Sequence, residues 1–231
     1  MSNLETSQEF IQFMLDVGVL RFGDFTTKSG RQTPYFVNTG AYKTGRHILR
    51  LSEFYADAAI EAFGRDFDNL YGPAYKGIPL AAATALTLES KFQHDVSFTY
   101  NRKEAKDHGE GGSLVGDQYE KGTEKRVVII EDVTTAGTSV YETMERLKGY
   151  PHVKVVGLLV SVDRQERGKS DKSALTELSD TFGFKASSII KLEELIGALD
   201  EGLKKGESWC KSLDFAMVEK IRAYYKAYGG L

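Results

Sequence analysis

The sequence predicts an α/β fold in which helices flank a buried parallel sheet. Two observations lead there. Arg126–Glu131 is a strand candidate whose Val127-Val128-Ile129-Ile130 is a continuous apolar run, Val153–Val162 is another such strand, and strands apolar on both faces belong inside a parallel sheet. Helical patterns separate the strands, which is the order that crossover connections require. The 231 residues suffice for one substantial core, and 41% hydrophobic with 27% charged residues is ordinary for a globular chain.

In chain order, Thr6 and Glu9 have capping-box spacing at the start of a helix whose Phe10, Met14 and Val17 share one face. Phe22–Thr27 and Thr33–Asn38 are short extended stretches, with Lys28-Ser29-Gly30-Arg31 as turn chemistry between them. Thr44–Phe63 is a long helix with Ile48, Leu51, Tyr55, Ala59 and Phe63 apolar, and Gly64 suits its end. Asn69–Tyr71 is a short strand, followed by Gly72-Pro73 and an alanine-rich helix near Ile78–Leu88. Asp95–Tyr100 is a strand and Ser139–Leu147 a helix. Past Gly168 the pattern weakens into a polar linker at Ser170–Ser173, a short helix, a strand at Ser188–Lys191 and one or two further helices. Tyr224, Tyr225 and Tyr228 are expected at the surface or at a partner interface. One domain spanning 1–231 is expected, with 1–40 contributing a helix and the extended pair, and 170–231 extending the same domain.

Composition excludes several classes. A net charge of −3 argues against a dedicated nucleic-acid binder. The single Cys210 rules out an intramolecular disulfide framework and a cysteine-based zinc site. His47, His94 and His152 carry no metal spacing. No apolar run approaches the ~20 residues of a membrane helix, and Met1–Glu5 has no signal-peptide features, so a cytoplasmic protein is expected.

Ligands of such sheets bind at the carboxyl ends of the strands, and one strand end stands out. Val127–Ile130 runs into Glu131-Asp132-Val133-Thr134-Thr135-Ala136-Gly137-Thr138-Ser139, where a helix begins. Small residues let backbone N–H groups approach a phosphate, and the helix N-terminus adds its positive dipole. Thr134, Thr135, Thr138 and Ser139 supply hydroxyls. Two acids at a strand end can accept hydrogen bonds from a sugar diol or hold a magnesium shell. Helix capping by Thr138 or Ser139 would explain a hydroxyl but not two adjacent acids. No Gly-Lys-Ser/Thr ends the segment, so it is not a P-loop, and Gly109–Leu114 fails as a dinucleotide fingerprint.

This segment closely resembles the phosphoribosyl pyrophosphate (PRPP) signature of the type I phosphoribosyltransferases. Three further segments resemble the orotate-using branch. Lys28–Asn38 is similar to its N-terminal hood, Gly72–Pro79 to its pyrophosphate loop, and Tyr100–Gly112 to its mobile catalytic loop; Asp163–Gly168 is a fourth match. The resemblance implies a Rossmann-like sheet with a small N-terminal hood. It also implies transfer of ribose 5-phosphate from PRPP to orotate, giving orotidine 5′-monophosphate and pyrophosphate in pyrimidine biosynthesis.

Carried over by position, the resemblance gives Lys28, Tyr75, Lys76, Arg102, Lys103, Lys106 and His108 to PRPP or pyrophosphate. Glu131, Asp132, Val133, Thr134, Thr135, Ala136, Gly137, Thr138 and Ser139 would form the ribose-phosphate cradle. Phe36, Val37, Thr135 and Arg164 would hold orotate. Lys103, Lys106, Asp107 and His108 are the expected catalytic residues. The cofactor implied is Mg2+, held mainly through PRPP and water, with no protein metal site. A homodimer with shared active sites is implied, and neither nucleic acid nor membrane.

The residues themselves leave other uses open. Arg164 suits a substrate carboxylate because guanidinium matches its fork, yet it can also form a surface ion pair with Asp163 or Glu166. Lys76 and Lys28 can be exposed turn lysines. Phe36 can be core, and the cations of Arg102–His108 are offset by Glu104, Asp107 and Glu110. A sibling enzyme using another base would lack the Lys28–Asn38 segment and a carboxylate partner. A PRPP-sensing regulator would need a basic DNA-binding face.

Overall fold

A computed structural model describes residues 3–27, 30–102, 113–119, 124–133, 137–168, 170–211 and 213–230. Helix α1 (Asn3–Val17) is followed by the hairpin β1 (Leu20–Thr26) and β2 (Gln32–Val37), then α2 (Gly45–Phe63) and β3 (Asn69–Tyr71). Next come α3 (Gly77–Phe92), β4 (Ser97–Asn101), β5 (Leu114–Gly116), β6 (Lys125–Val133), α4 (Thr138–Leu147) and β7 (Val153–Asp163). The chain continues through α5 (Ala174–Phe182), β8 (Lys185–Lys191), α6 (Leu192–Lys205) and α7 (Phe215–Tyr228).

The main sheet has the order β5-β4-β3-β6-β7-β8. All neighbours run parallel except β5, which pairs antiparallel with β4 at the edge. Strands β6 and β7 are apolar on both faces because both faces are covered. Val128, Ile130 and Leu159 face a core shared with α1, α2, α3, α6 and α7. Val127, Ile129, Leu158 and Val160 face the core under α4 and α5. From β3 the chain crosses outward to β4, returns to β6 on the other side, and proceeds to β7 and β8. The reversal lies between β3 and β6, which is where a ligand crevice opens in such sheets.

Local chemistry accounts for the helix ends. Thr44 caps α2, accepting a hydrogen bond from His47 N at 3.2 Å, and Gly64 leaves it at φ +62°. Ser173 caps α5. Phe10 and Met14 of α1 are fully buried with Val17 packed beside them. Thr6, however, lies inside α1 and caps nothing, because the helix begins at Asn3; a cap requires extended backbone just before the first turn. Glu9 pairs instead with Arg50 at 2.7 Å.

Other differences have tertiary causes. Strand β5 has three residues, too few for any period, and forms by pairing Leu114 with Asn101. Strand β8 starts at Lys185, earlier than Ser188, since its polar start is ordered by β7. Tyr224 is buried rather than superficial: α7 folds back against β2, and Tyr224 meets Tyr35 edge-on at 5.9 Å. Tyr225 packs partly against the same core, and Tyr228 remains 38% exposed. Among the described residues no helix is long and apolar enough to cross a membrane.

Candidate active site

Three strand ends converge where the sheet order reverses. At β6, Glu131 and Asp132 follow four fully buried apolar residues and are themselves buried. At β3, Gly72-Pro73 turns the chain into α3. An added Cβ at Gly72 would lie 2.2 Å from the carbonyl oxygen of Gly77, so the strand-to-helix turn closes on itself only with glycine there. The Ala74 N–H donates to the Asn101 side chain at 3.0 Å, tying this turn to the end of β4. Lys76, the last residue before α3, then reaches across to β6.

Lys76 Nζ lies 2.7 Å from Asp132 Oδ2 and donates to Thr39 Oγ1 at 3.0 Å, while the Thr39 hydroxyl donates to the same Asp132 oxygen at 2.6 Å. The lysine side chain is 65% exposed and that of Asp132 12%. The ammonium therefore stands at the mouth of the site with a buried carboxylate behind it. Burial pushes Asp132 upward, but the bonds from Lys76 and Thr39 outweigh it and hold the carboxyl below its ordinary value. Glu131 differs. Burial raises it to about 7, opposed by the nearby Ser139 hydroxyl and reinforced by the Asp132 charge. Adjacent acids thus divide into one firmly ionised and one titrating near neutrality. Their backbone is fixed by two buried hydroxyls: Tyr55 donates to Glu131 O at 2.6 Å and Ser161 to Asp132 O at 2.6 Å.

Gly137 opens α4 at φ +68° without any side-chain cap, so neither Thr138 nor Ser139 is spent on capping. Thr138 is exposed and Ser139 half-buried at the N-terminus of α4, and Val133 is half-buried at the end of β6. A cavity of about 290 Å³ opens beside Lys76 and Asp132, with Ile48, Leu51, Pro79 and Leu80 in its wall.

At the end of β7, Asp163 is buried and pushed upward by that burial, and its carboxylate accepts from Gln165 N at 2.8 Å. Arg164 pairs with Glu166 rather than Asp163, its Nε donating to Oε1 at 2.9 Å. This is not a surface pair, because the side chains are 10% and 17% exposed. The guanidinium lies over the Tyr35 ring of β2, 4.8 Å from its centroid. Burial works against the charge, but Tyr35 and Glu166 outweigh it and keep Arg164 protonated. Phe36 is 40% exposed and stacks on Phe25 at 5.5 Å, so it is not core, and Val37 packs partly against the main core.

Residues 38–187 match the family model described as the phosphoribosyl transferase domain. An orotate phosphoribosyltransferase of Clostridium acetobutylicum is 54% identical over 96% of this chain and 97% of its own. Another, from Lachnoclostridium phytofermentans, is 51% identical over 96% of each chain. The chain belongs to the orotate phosphoribosyltransferase family. Its fold also superposes on the crystal structure of the Francisella tularensis orotate phosphoribosyltransferase with a TM-score of 0.82, at 38% identity, covering 96% of this chain and 100% of that one.

Within this phosphoribosyltransferase fold, Tyr75, Lys76, Glu131, Asp132, Val133, Gly137, Thr138 and Ser139 gather around the β3–β6 reversal. Tyr75 is 67% exposed. Arg102 follows the last residue of β4, and its N–H donates to Ser113 O at 2.8 Å. Lys28, Lys103, Lys106, Asp107, His108, Thr134, Thr135 and Ala136 lie outside the described residues. Phe36 and Val37 belong to the hood strand β2, and Arg164 meets that strand through Tyr35 rather than through either of them. Sequence reasoning missed Thr39, Tyr55, Ser161 and Tyr35. Thr39, Tyr55 and Ser161 sit in no motif, Tyr35 lies within Lys28–Asn38 without being singled out there, and each acts through a partner far along the chain.

Proposed function

We propose that this chain transfers ribose 5-phosphate from PRPP to N1 of orotate, releasing pyrophosphate, within a single catalytic unit. Membership of the family makes it a pentosyltransferase. The observation that carries the residue assignment is the Lys76–Asp132–Thr39 contact beside Glu131, set at the sheet reversal and followed by the N-terminus of α4. Glu131 and Asp132 accept hydrogen bonds from the ribose hydroxyls. Val133 through Ser139 cradle the 5′-phosphate with backbone N–H groups and hydroxyls. Lys76, Tyr75, Lys28 and the cations Arg102, Lys103, Lys106 and His108 receive the departing pyrophosphate.

The anomeric C–O bond breaks ahead of C–N bond formation, so the main task is to stabilise the leaving group and the oxocarbenium character of the ribose. Orotate is already anionic and needs no strong base; what proton handling there is we assign to Asp107. The acids offer hard oxygen donors, but Asp132 is committed to Lys76, and no three His, Cys, Asp or Glu side chains cluster among the described residues. The hard oxygens of Glu131 and Asp132 would suit a Mg2+ ion carried mainly by PRPP and water, which when bound would screen the pyrophosphate charge. Arg164 reads the orotate carboxylate, beside Phe36, Val37 and Thr135.

A homodimer is supported by α3. Pro79 and Leu86 are exposed seven residues apart on one side of it, Leu86 at 74%, and exposed apolar positions in register suit coverage by a partner. Leu86→Asp should shift sedimentation from dimer to monomer and lower turnover, if the loop residues are shared between subunits. A monomeric native enzyme with full turnover would sink that reading. Loss of orotate absorbance with PRPP and Mg2+, with uracil and hypoxanthine in parallel, tests the reaction. Turnover with orotate alone is expected; turnover with another base would overturn the Arg164 assignment.

A further inference from the structure

Glu166 stands at the centre of a cluster drawn from three distant parts of the chain. Its Oε1 accepts from Arg164 Nε at 2.9 Å and from the Tyr224 hydroxyl at 2.7 Å, and its Oε2 accepts from Arg31 Nη1 at 3.2 Å. Arg31 lies over the Tyr228 ring, 4.6 Å from the centroid. Backbone bonds fasten the end of α7 to this loop, from Arg167 N to Tyr228 O at 2.9 Å and from Gly230 N to Gln165 O at 2.8 Å. Burial and the bond to Glu166 hold the Tyr224 phenol in its protonated, donating form.

The arrangement leaves Arg164 oriented but unsatisfied. One carboxylate faces two guanidiniums, so the cluster keeps a positive charge. Glu166 occupies the side-on edge of Arg164, with Nη2 2.6 Å from the oxygen that already accepts from Nε. Nη2 is buried with no aligned hydrogen bond. A buried donor without an acceptor is costly unless a ligand supplies one. The end-on pair Nη1 and Nη2 is the fork that takes a carboxylate bidentately.

We propose that Glu166 and Tyr224 are positioning residues for Arg164, holding its end-on fork toward the substrate carboxylate, so that α7 takes part in selecting a carboxylated pyrimidine. This rests on the reading of Arg164 given above. A guanidinium fixed before binding loses less freedom when substrate arrives, and the gain appears in orotate affinity rather than in leaving-group departure.

Steady-state kinetics with orotate and PRPP varied separately, alongside thermal melts, tests this. Tyr224→Phe keeps the shape and should raise the orotate KM about three- to tenfold, with kcat and the PRPP KM within about twofold of native. Glu166→Gln should raise it about ten- to a hundredfold with the same split; should that variant not fold, Tyr224→Phe carries the test. In an Arg164→Ala background, Tyr224→Phe should add nothing further to the orotate KM. An additive effect, or parallel losses in both KM values, would overturn the positioning role. If Arg164→Ala itself leaves the orotate KM unchanged, the reading of Arg164 fails first. If Arg164→Ala raises it while Tyr224→Phe and Glu166→Gln do not, only the positioning proposal fails.

Discussion

The acids at the end of β6 and the arginine at the end of β7 are both buried charges next to a crevice, yet they are held in opposite ways. The described part of the β6 site comes mostly from one stretch of sequence, Glu131–Val133 and Gly137–Ser139, with Lys76 and Thr39 added from elsewhere in the chain. The β7 site is built from residues 31, 35, 164, 166 and 224, which come from three segments far apart in the chain. The first offers carboxylates and an exposed ammonium; the second offers a buried cation with its own counter-charge. A charge whose partners are local can be read as a motif, whereas one whose partners are distant is visible only as geometry. The two sites should also fail differently, the first in PRPP handling and the second in base recognition.

The sharpest separation should come from the pyrophosphate side. Lys103→Ala or Lys106→Ala should lower kcat on the order of a hundredfold or more while leaving the melting temperature unchanged, since each removes charge stabilisation at the leaving group. Near-normal turnover in both would remove the loop from the mechanism. Lys76→Ala should reduce kcat/KM for PRPP by roughly tenfold to a hundredfold and leave the orotate KM nearly unchanged. Its effect on stability should be a modest loss, because the ammonium is largely solvated while the buried Asp132 behind it keeps only the Thr39 hydroxyl. Arg164→Ala should do the reverse, raising the orotate KM about tenfold or more with PRPP affinity intact. Equal damage to both substrates by either variant would break the contrast between the two sites.

The smallest effect is thermodynamic. The carboxyl of Glu131 is raised to about 7 from an ordinary 4.5, so the folded protein binds its proton more tightly than the unfolded chain does. That contribution to stability is present at low pH and lost as pH rises through about 7. Glu131→Gln should therefore stabilise the unliganded protein by roughly 1–3 kcal/mol above neutrality and flatten its stability between pH 5 and 7. Chemical denaturation across that range measures it; an unchanged slope would mean that Glu131 is better solvated than its burial implies.

Much of the first site was legible in advance. A double-faced apolar strand ending in Glu131-Asp132 and a run of small hydroxyl residues implies a buried sheet, a carboxylate pair and a helix N-terminus together. Gly72-Pro73 announced the turn that delivers Lys76. Thr39 and Ser161 carried no signal, because single hydroxyls occur everywhere and acquire meaning only from what they touch. The acids read alike in sequence, and only their unequal burial and partners set Glu131 apart from Asp132. Glu166 was visible as a partner for Arg164, but only as a surface pair.

By itself the sequence determined the alternation of apolar strands with helices, the turn glycines and the chemical composition of the β6 loop. These depend on side chains a few residues apart, whose periodicity and backbone preferences act before any tertiary contact forms. The tertiary structure decided the rest. It placed β3 beside β6, so that Lys76 meets Asp132; it paired the three-residue β5; and it folded α7 onto the hood, burying Tyr224 against Tyr35 and Glu166. Those outcomes follow from burial of apolar area and satisfaction of buried polar groups over the whole molecule, quantities that no local stretch of sequence contains.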